Sequence, residues 1–168
     1  LKCCDGRPMT VHDVVYSLKR WIDPASKSPV SFRAGPVKDI RADGDSTLIY
    51  ELKEPYSDLM FQLALSFASV VDKNTVEKLG ANFGVQGFNG TGPYCWGDWK
   101  PRNEFRLKKH AAYKWGPPIY DNTGPAHIEE IVWRIVPEEN TRLAAAMTGQ
   151  TQVTQYVPYS GMAQMRAN

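Results

Sequence analysis

Asp5-Gly6-Arg7-Pro8-Met9-Thr10-Val11-His12-Asp13-Val14-Val15-Tyr16-Ser17-Leu18 is the stretch from which the rest of the chain is read. Asp5-Gly6-Arg7-Pro8 is turn-like, and Thr10 stands three residues before Asp13, close to a capping box, so a helix starts there. Val11, Val14, Val15, Leu18, Trp21 and Ile22 then recur at spacings of three and four, which predicts one buried stripe. Asp23-Pro24 stops the helix, and residues 24–36, rich in Ser, Lys and Pro, read as a loop or a short helical turn.

Beyond this helix the chain alternates strand and helix signals. Two strands, residues 37–42 and 47–52, flank Asp43-Gly44-Asp45-Ser46, whose Asp-Gly is a hairpin cue. Helical spacing resumes over residues 56–65, a short apolar strand is expected at 68–71, and a small helix at 73–79 ends on Gly80. Residues 83–97 carry Gly84, Gly87, Gly90, Gly92, Pro93 and Gly97, a density of breakers that marks a functional loop or a junction between structural units, and the domain boundary is placed here. A second hairpin is expected from residues 94–99 and 103–108, and an irregular excursion follows over 111–126. Residues 128–136 alternate as a strand, Pro137 suits a helix first turn running to Gly149, residues 152–157 read as a strand, and 158–166 as a last helical turn.

Composition narrows the functional classes. The 168 residues are 42% hydrophobic and 23% charged, so the chain folds rather than remaining disordered. Twenty Lys plus Arg against 18 Asp plus Glu leave a charge of +2, which gives no general electrostatic claim on nucleic acid or on an anionic membrane. No apolar run approaches the roughly 20 residues of a spanning helix. Residues 1–6 contain neither an initiator Met nor a signal peptide, as expected of an interior piece of a longer precursor. Cys3 and Cys4 cannot easily pair with each other; a Cys4–Cys95 bridge is open, and isolated thiols are the expectation.

Candidate chemistry is sparse. His127-Ile128-Glu129-Glu130 lacks a second His at helical spacing and is not expected to bind metal. His12 and His110 are expected to be solvated, His110 as a neutral exposed imidazole after Lys108-Lys109. Gly87-Phe88-Asn89-Gly90-Thr91-Gly92 lacks the Lys of a phosphate loop, and Pro93 blocks the helix that should follow, which argues against nucleotide binding. Asn89-Gly90-Thr91 also matches a glycosylation acceptor. No Ser-His-Asp or Cys-His order comes with a nucleophile elbow. No cofactor and no metal are expected.

Taken in order, four segments resemble family 5 of the extracellular solute-binding proteins, the oligopeptide, dipeptide and nickel-binding components of ABC importers. They are residues 5–18, Asp23-Pro24-Ala25-Ser26-Lys27-Ser28-Pro29, Gly90-Thr91-Gly92-Pro93-Tyr94 with the tract ending Tyr113-Lys114-Trp115-Gly116, and residues 131–149. Cys3-Cys4 and Gln150-Thr151-Gln152 depart from the family pattern.

The resemblance implies a mixed α/β fold, part of a periplasmic-binding-protein type II-like architecture with mixed or antiparallel sheets and flanking helices. Residues 1–92 would be the later part of a small extra domain, and residues 93–168 the incomplete beginning of the first ligand-binding lobe. It implies a substrate-binding component that captures a peptide or similar small solute, without catalysis, for a membrane ABC permease, at a periplasmic or cell-surface location. By position in the family, Ser28, Pro29, Val30, Ser31 and Phe32 are the candidate ligand wall, and Gly90, Thr91, Gly92 and Pro93 the candidate hinge. The alternatives are a signalling or structural module on the same fold, and a hydrolase using Asp98, Glu129 or Glu130. Apolar faces that lack their native cover would favour self-association.

Overall fold

A computed structural model describes residues 1–167. Helix α1, Val11–Ile22, begins at Thr10, whose hydroxyl accepts from the Asp13 N–H while the Asp13 carboxylate accepts from the Thr10 N–H, so the capping box is closed. Asp23 ends it and caps the following 3-10 turn, Pro24–Ser26. Strands β1, Val37–Asp43, and β2, Thr47–Leu52, form an antiparallel hairpin in which Ile40 faces Tyr50 and Asp43 faces Thr47.

The apolar stripe of α1 is covered by this hairpin and by two short 3-10 turns. Leu18, Trp21, Ala34, Ile40 and Ala68 form the buried cluster, with Val14, Val15, Ile22, Leu48, Tyr50 and Leu63 packed around it. Burying a Leu or Ile side chain contributes roughly 1.5–3 kcal/mol, so this cluster is the main source of cohesion here.

Helix α2, Leu59–Ala64, is shorter than its expected span, and α3, Lys73–Leu79, runs as expected from the Asp72 cap to Gly80. Residues 68–71 form no strand. A 3-10 turn, Ser66–Ala68, leads into a segment whose Val71 N–H donates to Ser17 Oγ, while Ser17 Oγ donates to the Val71 carbonyl. A helix side chain has taken the place of a strand partner.

Strands β3, Tyr94–Lys100, β4, Glu104–Lys109, and β5, Glu130–Arg134, follow in the sheet order β3-β4-β5. Helix α4, Glu139–Met147, is capped by the Glu138 carboxylate rather than opened by Pro137. Helix α5, Met162–Ala167, follows a 3-10 turn. The expected strand at 152–157 is absent because Arg142 on α4 donates through Nε to the Gln155 carbonyl and through Nη2 to the Tyr156 carbonyl, and Tyr156 sits at φ +55°. Backbone acceptors held by a guanidinium at a left-handed residue cannot join a ladder.

By internal packing the chain divides into residues 1–98 with 106–131, and residues 99–105 with 132–168. The first unit holds the buried cluster. Among the described residues no helix is long and apolar enough to cross a membrane.

Two further expectations from the sequence are corrected. Cys4 and Cys95 are joined by a disulfide, with Cα atoms 5.7 Å apart, rather than being isolated thiols. The Cys4 N–H donates to the Gly90 carbonyl, which draws the turn before α1 against the start of β3, and no local pattern could reveal a pairing across 91 positions. Cys3 stays a free thiol, buried, and that burial pushes its pKa up. His110 is buried, 4% exposed, rather than solvated: its N–H donates to the Pro93 carbonyl and its ring lies against Tyr113 and Trp115.

Candidate functional site

Residues 28–34 leave α1's loop and enter the 3-10 turn Ser31–Ala34. Ser28, Val30 and Ser31 are half-buried, Pro29 is exposed, and Phe32 is 72% exposed. Bonds from the Arg33 N–H to the Val30 carbonyl and from the Gly35 N–H to the Phe32 carbonyl close the turn. The Tyr50 hydroxyl donates to the Ala34 carbonyl at 2.7 Å and ties it to β2; burial pushes the Tyr50 pKa up to about 12. A rigid base therefore carries an exposed aromatic ring.

Arg33, one residue past the expected wall, is the side chain that sequence reasoning missed. Its guanidinium lies 5.4 Å from the Phe32 ring centroid and 5.2 Å from that of Phe67. Its Nη1 donates to Gln62 Oε1 at 3.2 Å, and the buried Gln62 is itself oriented by donating to Asp58. Among the described residues no carboxylate pairs with Arg33, and its buried Nε has no protein acceptor. A signal for it was present: residues 24–38 contain no Asp or Glu at all, so an Arg there has no local counter-ion. A guanidinium packed against two aromatic rings, with no carboxylate on it among the described residues, can offer its charge and a remaining N–H to an anionic group.

Gly90, Thr91, Gly92 and Pro93 form a pinned segment. Their four carbonyls accept in turn from the Cys4 N–H, Trp115 Nε1–H, His110 Nδ1–H and His110 N–H, at 3.1, 2.8, 2.9 and 2.9 Å. Asn89 just before them is 7% exposed, and its amide donates to Asp72, so the glycosylation-like triplet does not present its Asn to solvent.

Asp72 organises the same region. Its carboxylate, 3% exposed, accepts from Thr75 N–H and Oγ1–H, from the Arg7 guanidinium and from Asn89. Burial pushes its pKa up, but the bonds from Thr75, Arg7 and Asn89 outweigh burial and hold it below 3.8. Asp13 behaves alike: burial raises it, and bonds from Thr10 and the Lys73 N–H bring it below the usual range.

The carboxylates of the hydrolase alternative are engaged otherwise. Glu129 pairs with Lys109 at 2.6 Å and Glu130 with Arg106 at 2.9 Å, and Asp98 is exposed. Among the described residues the His, Cys, Asp and Glu donors that come within mutual reach are Cys4, Cys95 and His110, and His127 is not among them.

Comparison with known proteins gives a consistent picture. The sequence model of the bacterial extracellular solute-binding proteins, family 5 Middle, matches residues 3–168. The glutathione-binding protein GsiB of Escherichia coli O1:K1 is 29% identical over 168 residues, covering 100% of this chain and 31% of that protein. The solved structure of the binding protein AgaA in complex with agropinic acid, from A. tumefaciens R10, superposes with a TM-score of 0.85 at 26% identity, covering 99% of this chain and 32% of that one. OppA of Burkholderia pseudomallei shares the fold, with a TM-score of 0.81 at 24% identity over 99% of this chain and 35% of that one. The chain thus spans about a third of the length of the proteins it matches.

Proposed function

Since this chain belongs to family 5 of the bacterial extracellular solute-binding proteins, we propose that it is part of the substrate-binding component of an ABC importer, which captures a small carboxylate-bearing solute of peptide-like size for a membrane permease. The observation that carries this reading is the Arg33 guanidinium, held between Phe32 and Phe67 with no carboxylate on it among the described residues. The ligands named for two relatives, glutathione and agropinic acid, are small carboxylic acids. Capture rather than turnover is the role: the carboxylates Glu129 and Glu130 are tied to cations, and the relatives are named for binding.

In this reading Ser28–Phe32 and Arg33 line one wall of the ligand cleft. Residues 1–92 belong to the small extra domain and residues 93–168 open the first lobe. Gly90–Pro93 is the junction about which closure occurs, its carbonyls fixed on one side by Cys4, His110 and Trp115. A periplasmic or cell-surface location accords with the Cys4–Cys95 disulfide, since such bonds persist in oxidising compartments.

Calorimetric titration of the whole protein with glutathione, with dipeptides and with their C-terminal amides tests this. Carboxylate ligands are expected to bind, and Arg33→Ala to weaken binding about tenfold or more, the equivalent of about 1.4 kcal/mol. Binding that is indifferent to amidation and to Arg33→Ala would remove Arg33 from the site, and no binding with any of these solutes would overturn the ligand class.

A further inference from the structure

We propose that Cys4, Cys95 and His110 form, once the disulfide is reduced, a binding site for a thiophilic d10 metal ion such as Zn(II) or Cu(I). One ring nitrogen of His110 and the two sulfurs lie within 4.8 Å of one another. The site uses none of the residues around Arg33, but Cys4 and His110 also hold the Gly90, Gly92 and Pro93 carbonyls of the proposed junction.

The three donors are positioned by contacts that do not depend on the S–S bond. Cys4 comes from the turn before α1, where its N–H is held by the Gly90 carbonyl. Cys95 is the second residue of β3, fixed by the sheet. His110 follows β4, its N–H bonded to the Pro93 carbonyl and its ring packed edge-on to Trp115 at 5.7 Å. Tetrahedral coordination at a metal–sulfur distance of about 2.3 Å needs the sulfurs roughly 3.8 Å apart. That spread requires the Cys4 and Cys95 side chains to turn away from each other on Cα atoms 5.7 Å apart.

The imidazole is also set in a ligating form. Nδ1 lies 2.9 Å from the Gly92 carbonyl, and a carbonyl can only accept, so Nδ1 carries a proton there and Nε2 is the nitrogen left to serve as the metal ligand. A backbone carbonyl behind the non-ligating nitrogen is the usual outer-shell support of a metal-bound His. Two thiolates and an imidazole select soft or borderline ions over Mg(II) or Ca(II), which prefer oxygen. Three protein ligands leave a fourth position for water or a small exogenous ligand.

The chemistry balances as follows. Two equivalents of a thiol reductant, or one of a dithiol, supply two electrons and two protons; the Cys4–Cys95 bond breaks, and the reductant is oxidised to its own disulfide. Each new thiol then loses one proton on binding the metal. The same two sulfurs cannot be a disulfide and metal ligands at once, so oxidation expels the ion.

The test uses the reduced protein, freed of excess reductant under nitrogen and titrated with Co(II) and Cd(II) as spectroscopic probes. One equivalent should produce a tetrahedral Co(II) visible spectrum and a Cd–thiolate ultraviolet band. Both should be absent from the oxidised protein and from Cys4→Ser. His110→Gln, which keeps a polar side chain near the Gly92 carbonyl, should lower affinity at least about tenfold and change the Co(II) spectrum. The proposal is overturned if the reduced protein shows no band above Cys4→Ser, if oxidised and reduced forms bind alike, or if His110→Gln leaves the spectrum and affinity unchanged. Loss of near-ultraviolet circular dichroism on reduction alone would also overturn it, because the three donors would then depend on the disulfide for their positions.

Discussion

Replacing Asp72 by Ala should destabilise the protein by about 2–3 kcal/mol. Asp72 caps α3 through the Thr75 N–H at 2.9 Å, and loss of a helix N-cap costs typically about 1 kcal/mol. Its bond to Arg7 is charge-assisted, for which about 1.5–3 kcal/mol is usual, but Arg7 is 39% exposed and water screens it, so about 1 kcal/mol is retained. Asn89, 3.4 Å away, adds a weak contact and loses its acceptor. Guanidinium denaturation followed by tryptophan fluorescence measures the change, with Trp21 in the buried cluster as reporter. Asp72→Asn keeps the cap and removes the charge, so it should lose about half as much, and a cycle with Arg7→Ala should show coupling of about 1 kcal/mol. The carboxyl is held below its ordinary 3.8, so its contribution is complete above that pH and lost as pH falls through the lowered folded value. Asp72→Asn should therefore flatten the wild-type acid loss below about pH 4. A change under about 0.5 kcal/mol for Asp72→Ala, or additivity with Arg7→Ala, would refute the view that this carboxylate ties three segments together.

Three further outcomes are expected. Cys4→Ser with Cys95→Ser should cost up to about 4.6 kcal/mol, the loop-entropy value for a closure across 91 positions, read as a lower midpoint in denaturant. Gly35→Ala should cost about 1–3 kcal/mol or more in thermal melts, because Gly35 sits at φ +75° and ψ −169°, a region open to glycine, and a Cβ there would run into the Tyr56 ring. The Glu138 carboxyl, lowered from 4.5 to about 2 by bonds from the Asn140 and Thr141 N–H groups, should titrate by carbon-13 NMR near pH 2, and the α4 cap should persist until pH falls to that value. A midpoint near 4.5 would mean that the cap is not formed.

The helix α1, the first hairpin, α3 and the β3–β4 pair were legible because each is specified by neighbours in the chain: the Thr10–Asp13 box, the Asp43-Gly44 turn, the Gly80 stop. Residues 68–71 and 152–157 were misread as strands for a common reason. An apolar or alternating run has strand character only if an edge is available, and here Ser17 and Arg142 occupy the backbone groups that an edge would have paired. At the proposed site the resemblance points to Phe32, whereas nothing in it points to Arg33, the next residue, which lies in a stretch of sequence without Asp or Glu.

By itself the sequence determined the family and those local elements that neighbours in the chain specify, since these follow from order and spacing along it. Tertiary structure alone decided that Cys4 meets Cys95, that His110 turns inward onto the Gly92 carbonyl, that Asp72 gathers Arg7 and Asn89, and that Arg33 stands between Phe32 and Phe67. Each of these meetings joins groups through space rather than through neighbouring positions, so it forms only with the long-range contacts of the folded chain and leaves no local pattern to read.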